Sequence, residues 1–581
     1  MATSDDEGFV RVATLEDLED DRTLVTTGGQ SIAIFRHDGE LHAVDNRCPH
    51  MGFPLARGSV EDGVLTCHWH HARFELSCGS TFDPFADDVP SYPIELRDDE
   101  IWVNPHPEAD EPPEERWSGR LEDGLEEDLR LVLAKSIIGL DDAGVEPGRP
   151  LGIVTGFGAR YRDEGWGPGM TILGAMANLL PALEEADRRR ALYVGAIRVA
   201  DDCAGRPPRF VQDPLAGSEH APSRLERWFR ECIEVRDRQG AERVLRSAIA
   251  ADLPEERLVS ILVGAATDHR YLDGGHTIDF LNKACETLDH VGWERADELL
   301  PALVPGLASA QRSEERSSWR QPVDLAELLD EAFEELPDRL DAGETADEWR
   351  PEEGFEETLL SDDPSVIVAA LNEAIEAGAS ARALADRIAR AAAVRVARFS
   401  TGNEFRDWNT VHHTYTYANA VCGLARRTNG EGCYRAIYDG AMDVYLDRFL
   451  NTPPATIPEP REVDENPEEL LSALLETFDE EGEVNEAGRH VADYLDSGGD
   501  PGALKRALGG ALLREDANFH TLQNVEAAFE GFDRDGPEAG RIHLVATARY
   551  LAAHTPTRRE REQTFTIASR LHRGEEIHES A

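Results

Sequence analysis

Between positions 48 and 71 the chain reads CPHMGFPLARGSVEDGVLTCHWHH, which places two cysteines and four histidines in twenty-four residues. Thiolates and imidazoles are the side chains that bind zinc and iron most readily, so such a density points to a metal or a small inorganic core. Setting aside the ligand types that break the spacing leaves Cys48-Pro-His50, sixteen residues, then Cys67-x-x-His70. Two tight loops of this kind, at the tips of neighbouring hairpins, can present two thiolates and two imidazoles to one centre. A structural zinc site is one reading of that set. Zinc patterns usually put like ligands in each knuckle, whereas each loop here supplies one cysteine and one histidine.

Upstream, SIAIFRHDGELHAVDNRCPH alternates apolar and polar positions around His37-Asp38-Gly39, as a hairpin leading into the first ligand loop should. With the mixed loops, this stretch resembles the Rieske family, in which two cysteines hold one iron of a [2Fe–2S] cluster and two histidines hold the other. The resemblance covers residues 1–105 and takes in Gly52, Phe74, Gly79 and the closing run PSYPIELRDDEIWVN. It implies a cluster held by Cys48, His50, Cys67 and His70, working as a one-electron carrier with a potential of roughly −150 to +300 mV. Respiratory members carry an extra cysteine in each ligand loop, paired as a disulfide. Phe53 and Trp69 stand there instead, so the chain is similar to the oxygenase and ferredoxin branch. His71 occupies a position where the family usually has glycine; by spacing His68 and His71 are decoys and not ligands, although either could shape the cluster's surface, and Cys78 is expected to be a packing residue.

At 581 residues the chain exceeds what one core can hold, and division into domains is expected. Its 114 acidic and 59 basic residues give a net charge of −55, and only three of the basic residues are lysines: Lys135, Lys283 and Lys505. A hydrophobic content of 41% with long periodic segments argues for folded cores over disorder. The acidic field repels nucleic acid and anionic membranes, and reads as a halophile's adaptation to a salt-rich cytoplasm. MATSDDEGFVRV carries no secretory signal, and the longest apolar run, MTILGAMANLLPAL, is too short to span a bilayer, so a cytoplasmic location is expected. Cys203, Cys232, Cys285, Cys422 and Cys433 read as small buried hydrophobes.

The fold class expected is multidomain, an N-terminal all-β Rieske-like domain at 1–105 followed by a large, mainly α-helical domain. NPHPEADEPPEER gives a linker over 106–117. Beyond it, LEEDLRLVLAKSIIGL, ALEEADRRRALYVGAI, RLERWFRECIEV and AERVLRSAIAADL repeat apolar residues at three and four spacing, as helices do. Charged, proline-bearing interruptions near 308–355 and 452–468 suggest two helical blocks within 118–575, namely 118–310 and 355–575. GIVTGFGARYRDEGWGPGM at 152–170 lacks the spacing of a nucleotide loop and reads as a loop before a helix. No flavin or nicotinamide domain is evident, so electrons are expected from a separate reductase or ferredoxin.

Familiar Rieske oxygenases ligate a mononuclear iron through D-x2-H-x4-H and a distant aspartate. Asp273 and His276 match the first part, but the next position is Leu281. A second site therefore needs helix-borne ligands. His269, His276, Lys283 and His290 recur at seven residues, about 10.5 Å of helical rise and too far for two to share an ion. His276 can pair with Asp279 three residues on, with Lys283 one turn further, either as a carboxylated ligand or as a surface lysine paired with Asp279 or Glu286. FRDWNTVHHTYTYANAV adds His412 and His413, DANFHTLQNVEAAF adds His520, and GRIHLVATARYLAAHTPT adds His543. The candidate mononuclear non-haem iron site is drawn from His276, Asp279, Lys283, His412, His413, His520 and His543. HTIDFLNKACE and HLVATARYLA also resemble the questin oxidase-like proteins, helical non-haem iron oxygenases acting on aromatic polyketides, although Asp279-Phe280 stands where that family would place a further histidine. The function expected is an oxygenase fed by a Rieske cluster and acting on a hydrophobic or aromatic substrate. The alternative is a ferredoxin-like carrier or redox sensor whose helical part binds a protein partner and holds no second metal.

Overall fold

Asp38 and Gly39 both adopt left-handed backbone, with φ of 50° and 86°. A two-residue turn of that hand matches the twist of its flanking strands, and it joins β3 (Gln30–His37) to β4 (Glu40–Asp45) in antiparallel register, with His37 opposite Glu40 and Ile32 opposite Asp45. A computed structural model describes residues 8–107, 111–216, 220–346, 349–461 and 465–575. Chain contacts divide it into two units, with boundaries after Val154 and after Arg561.

The N-terminal unit holds three small antiparallel sheets. The first runs β1 (Val10–Thr14), β10 (Glu100–Val103), β9 (Ile94–Arg97); the second runs β2 (Arg22–Thr27), β3, β4, β8 (Ser91–Tyr92); the third runs β5 (Ser59–Glu61), β6 (Val64–Thr66), β7 (Arg73–Glu75). The alternation expected of β3 is only partial, because both of its faces are covered. Ile32 and Ile34 join a core with Ala43, Ile101 and Val103, while Ala33 and Phe35 join a second with Leu65, Phe74 and the two cysteines of the ligand loops. Gly79 is demanded by close packing, since a Cβ there would lie 1.9 Å from the Val89 carbonyl oxygen.

The linker is shorter than 106–117. Proline in the first turn starts a helix, α1, at Pro113–Glu126. Left-handed Asp128 then separates it from α2 (Arg130–Asp142), so LEEDLRLVLAKSIIGL is two helices and not one. Both belong to this unit, together with the chain after Arg561.

The other unit consists of helices joined by loops, with no strand among its described residues. The helices that carry its candidate histidines and buried acids are α3 (His276–Val291), α4 (Asp407–Leu424), α5 (Glu431–Leu446), α6 (Phe519–Ala539) and α7 (Arg541–Ala552). A large apolar core brings Ile172, Met176, Leu508, Phe529, Leu544 and Leu551 together. Two sequence expectations change here. Residues up to Arg160 of the glycine-rich stretch are helical (Gly148–Arg160), with the loop confined to residues 161–167. Glycine supplies closeness in that helix, since a Cβ on Gly158 would lie 2.3 Å from Met170 Sδ. The interruption at 308–355 contains a long helix, Leu325–Gly343, capped by the Asp324 carboxylate accepting the Glu327 N–H at 2.9 Å. Among the described residues no helix is long and apolar enough to cross a membrane.

Candidate metal centres

The two cysteine loops of the N-terminal unit are built alike. Cys48 N–H donates to the Phe53 carbonyl (2.9 Å) and its own carbonyl accepts from Gly52 N–H (2.7 Å); Cys67 N–H donates to Ala72 (2.9 Å) and its carbonyl accepts from His71 N–H (3.1 Å). In each loop the backbone N–H groups two and three residues on, those of His50 and Met51 or of Trp69 and His70, also point at the cysteine sulfur. The fourth residue after each cysteine must turn left-handed. Gly52 does so at φ 79° and His71 at φ 63°.

This geometry gathers the four expected donors. Cys48 and Cys67 are buried and neighbours, while the His50 and His70 rings lie 4.9 Å apart at 79°. The Cys67 thiol is held down at about 6, first by its hydrogen bond with Cys48 and, against burial, by the N–H groups of Trp69 and His70. Burial, aided by His70 and Lys135, pushes His50 down to about 4, so its imidazole is neutral. His50 Nδ1 is buried without a protein partner. Such an orphan is rare in folded chains unless it serves a ligand, and two sulfurs with two imidazoles fit a [2Fe–2S] cluster. His68 instead bonds Ser59 Oγ at 3.1 Å, and exposed Cys78 bonds Ser80 Oγ at 3.1 Å.

A family model of the Rieske [2Fe-2S] domain matches residues 8–93, and the 3-phenylpropionate/cinnamic acid dioxygenase ferredoxin subunit of Photorhabdus laumondii is 34% identical over 94 residues, 16% of this chain and 90% of that protein. The chain belongs to the Rieske [2Fe–2S] family. Its Rieske domain is also similar to part of apoptosis-inducing factor 3 from Homo sapiens, 30% identical over 100 residues, 17% of this chain and 16% of the human protein. Among solved structures, the ferredoxin of carbazole 1,9a-dioxygenase from Nocardioides aromaticivorans IC177 is 27% identical, with a TM-score of 0.16, over 17% of this chain and 98% of that one. The Rieske domain implies a [2Fe–2S] cluster and one-electron transfer; these matches leave the helical unit uncovered.

Within that unit, three helices deliver histidines to one point. The bend before α3, left-handed at Tyr271, Asp273, Gly274 and Gly275, sets His276 as the first residue of its helix. His413 comes from the first half of α4, and His520 from the first turn of α6, whose Asn518 cap accepts the Thr521 N–H at 3.0 Å. A nitrogen from each of the three lies within 4.8 Å of the others. His413 Nε2 and His520 Nε2 are 2.8 Å apart, and the His276 and His413 ring centres 4.7 Å. Burial pushes His413 down to about 2 and His520 to about 4, helped by neighbouring imidazoles, and it lowers His276 as well. All three are neutral at pH 7 and have lone pairs to offer.

The other candidates lie outside the group of three. His412 is fully buried beside this group, its ring 5.0 Å from that of His520; Nδ1 faces Asn524 Nδ2 at 3.3 Å and Nε2 has no partner. Asp279 turns away, with both carboxylate oxygens accepting from Gln523 Nε2 at 2.9 and 2.8 Å. Lys283 is an ammonium locked between Glu286 (2.8 Å) and Glu526 (2.7 Å); burial would lower its pKa, but these carboxylates raise it. It is therefore neither a carboxylated ligand nor a surface lysine, being 2% exposed. His543 has both ring nitrogens engaged, with Tyr415 Oη at 2.7 Å and Asp535 at 3.0 Å.

A cavity of about 460 Å³ opens at His413, lined also by Tyr271, Arg316, Trp319, Asp443 and Tyr445 among others. Thr414 Oγ1 lies 2.5 Å from Asp443 and 2.6 Å from Asp447. One hydroxyl proton cannot serve two carboxylates, so one of the acids retains its own, in keeping with burial raising both. Sequence reasoning missed this pair, although Asp439, Asp443 and Asp447 recur every fourth residue in the otherwise apolar, tyrosine-bearing stretch AIYDGAMDVYLD.

Proposed function

We propose that the chain is an oxidoreductase of the oxygenase type. Its Rieske domain accepts electrons from a separate reductase or ferredoxin and passes them to a mononuclear non-haem iron bound by His276, His413 and His520, beside a cavity for a hydrophobic or aromatic substrate. The observation that carries this reading is the meeting of three neutral imidazoles from three separate helices. Nitrogens bound at about 2.1 Å to one metal lie roughly 3 Å apart, and the 2.8 Å between His413 and His520 suits that arrangement. A bound iron supplies open coordination positions and a one-electron couple. The chain's own groups shape the reaction around it: Tyr271, Trp319 and Tyr445 give the cavity aromatic walls, and the Asp443–Asp447 pair keeps a proton at its edge.

A second reading draws on the ferredoxin subunit matched over 90% of its length. A carrier whose helical part binds a protein partner needs no second metal. Reoxidation separates the two. With the cluster reduced anaerobically, then mixed with oxygen, the wild-type chain should reoxidise quickly, and His413→Ala at least about tenfold more slowly at unchanged cluster absorbance. Equal rates favour the carrier.

A further inference from the structure

Where nearly all positive charge is arginine, the three lysines are buried: Lys135 is 5% exposed, Lys283 2% and Lys505 7%. Each is ion-paired, to Asp87, to Glu286 and Glu526, and to Asp533 respectively. Lys135 stands out because it also bonds the backbone of the first cysteine loop. Its Nζ donates to the carbonyl of Pro49, the residue between the ligands Cys48 and His50, and lies 3.5 Å from the His50 carbonyl and 3.0 Å from Asp87. It belongs to α2, outside residues 8–93 that carry the Rieske match.

We propose that Lys135 is a positioning residue for electron transfer: it clamps the first ligand loop and, as a buried cation, sets the reduction potential of the [2Fe–2S] cluster. Two cations, Lys135 and Arg120, share Asp87, and Arg120 also pairs with Asp123 Oδ2 at 2.8 Å. Arg120, on α1, donates to Asp87 Oδ1 at 3.0 Å while Lys135 takes Oδ2. Asp87 is thus shared, Asp123 balances Arg120, and Lys135 is the buried cation in direct contact with the loop. Arg120 also donates to the carbonyls of Pro84 (2.8 Å) and Ala86 (3.1 Å), fixing the segment whose Phe85 ring packs edge-on against His50 at 5.0 Å. Helices appended to the Rieske domain therefore hold both walls of one histidine ligand.

The sign of the effect comes from charge. Reduction adds one electron to the cluster, and a fixed positive charge nearby stabilises the reduced form and raises its potential. The charge is buried, so salt screens it weakly. Hydrogen bonding and charge around such clusters are recognised levers on potential.

The test uses the full chain with its cluster in place and follows the EPR signal of the reduced cluster through a potentiometric titration. Lys135→Met should shift the reduction equilibrium about tenfold toward the oxidised form, a fall of about 59 mV for one electron, and Lys135→Arg should recover most of it. Asp87→Asn, which leaves both cations and removes the anion they share, should move the midpoint upward. An unchanged midpoint in Lys135→Met at full cluster content overturns the proposal. If Lys135→Met does not retain its cluster, Asp87→Asn decides alone, an unchanged or lowered midpoint overturning it.

Discussion

His413 Nε2 faces His520 Nε2 at 2.8 Å across the gap between α4 and α6, while the adjacent His412 points its Nδ1 at Asn524. Neighbouring residues of one helix thus have different work. His413→Ala should abolish metal binding in the helical unit and leave the cluster's spectrum untouched, whereas His412→Gln should keep the metal. Metal analysis of the two purified variants, side by side, checks this; loss in both would enlarge the ligand set to four.

Lys283 is the counter-ion of a buried carboxylate group. Glu286 and Glu526 flank it, and Glu530, held by Asn419 and Arg426 at 2.8 and 2.7 Å, lies close to both. Removing one partner of a buried pair leaves an uncompensated charge, at a cost of about 3–5 kcal/mol. Lys283→Met should therefore lower the urea midpoint markedly, and adding Glu526→Gln should restore part of the loss. Equal stability of Lys283→Met and wild type would show that the group is solvated.

The contrast between ligands and neighbours marks how far sequence alone reaches. The four proposed cluster donors are legible because their spacing is local: one loop supplies Cys48 and His50, another Cys67 and His70. The histidines at 276, 413 and 520 could be named as inward-facing positions, but their meeting depends on how three distant helices pack, which no local period encodes. Asp279 and Lys283 share the His276 stripe of α3, yet Gln523 and Glu526 on α6 claim them first. His543 was plausible by the same reasoning and is engaged by Tyr415 and Asp535. Lys135 was visible only as a rare residue type, since its partner Asp87 is 48 residues away.

Asp439 gives a pH signature. Burial pushes its carboxyl up to about 7, against Arg270 and the Tyr271 N–H that its Oδ2 accepts at 3.1 Å. Its folded value lies above the usual 3.8. Across that window the unfolded chain has released a proton that the native chain retains, so this group's contribution makes stability fall as pH rises toward 7 and level off above it. Asp439→Asn should remove a slope of at most about 1.4 kcal/mol per pH unit, read as the difference between wild-type and variant urea midpoints from pH 4 to 8. Parallel curves would mean that Asp439 ionises normally.

His71 sits at φ 63° in a loop whose twin uses Gly52 at the same place. A non-glycine residue there costs about 1 kcal/mol in sterics. His71→Gly should raise the temperature at which the cluster bleaches, without changing its EPR spectrum, because the His71 N–H bond to Cys67 is a backbone bond. A lower bleaching temperature would assign the imidazole a stabilising contact that outweighs the strain.

Iron content decides most directly whether the helical unit holds a metal. Iron per chain, measured on protein purified and reconstituted anaerobically and normalised to [2Fe–2S] absorbance, should be about three for the wild type: two in the cluster and one at His276, His413 and His520. It should fall to about two in His413→Ala. A wild-type value of two, unchanged in His413→Ala, would contradict the proposed oxygenase site and leave a Rieske carrier.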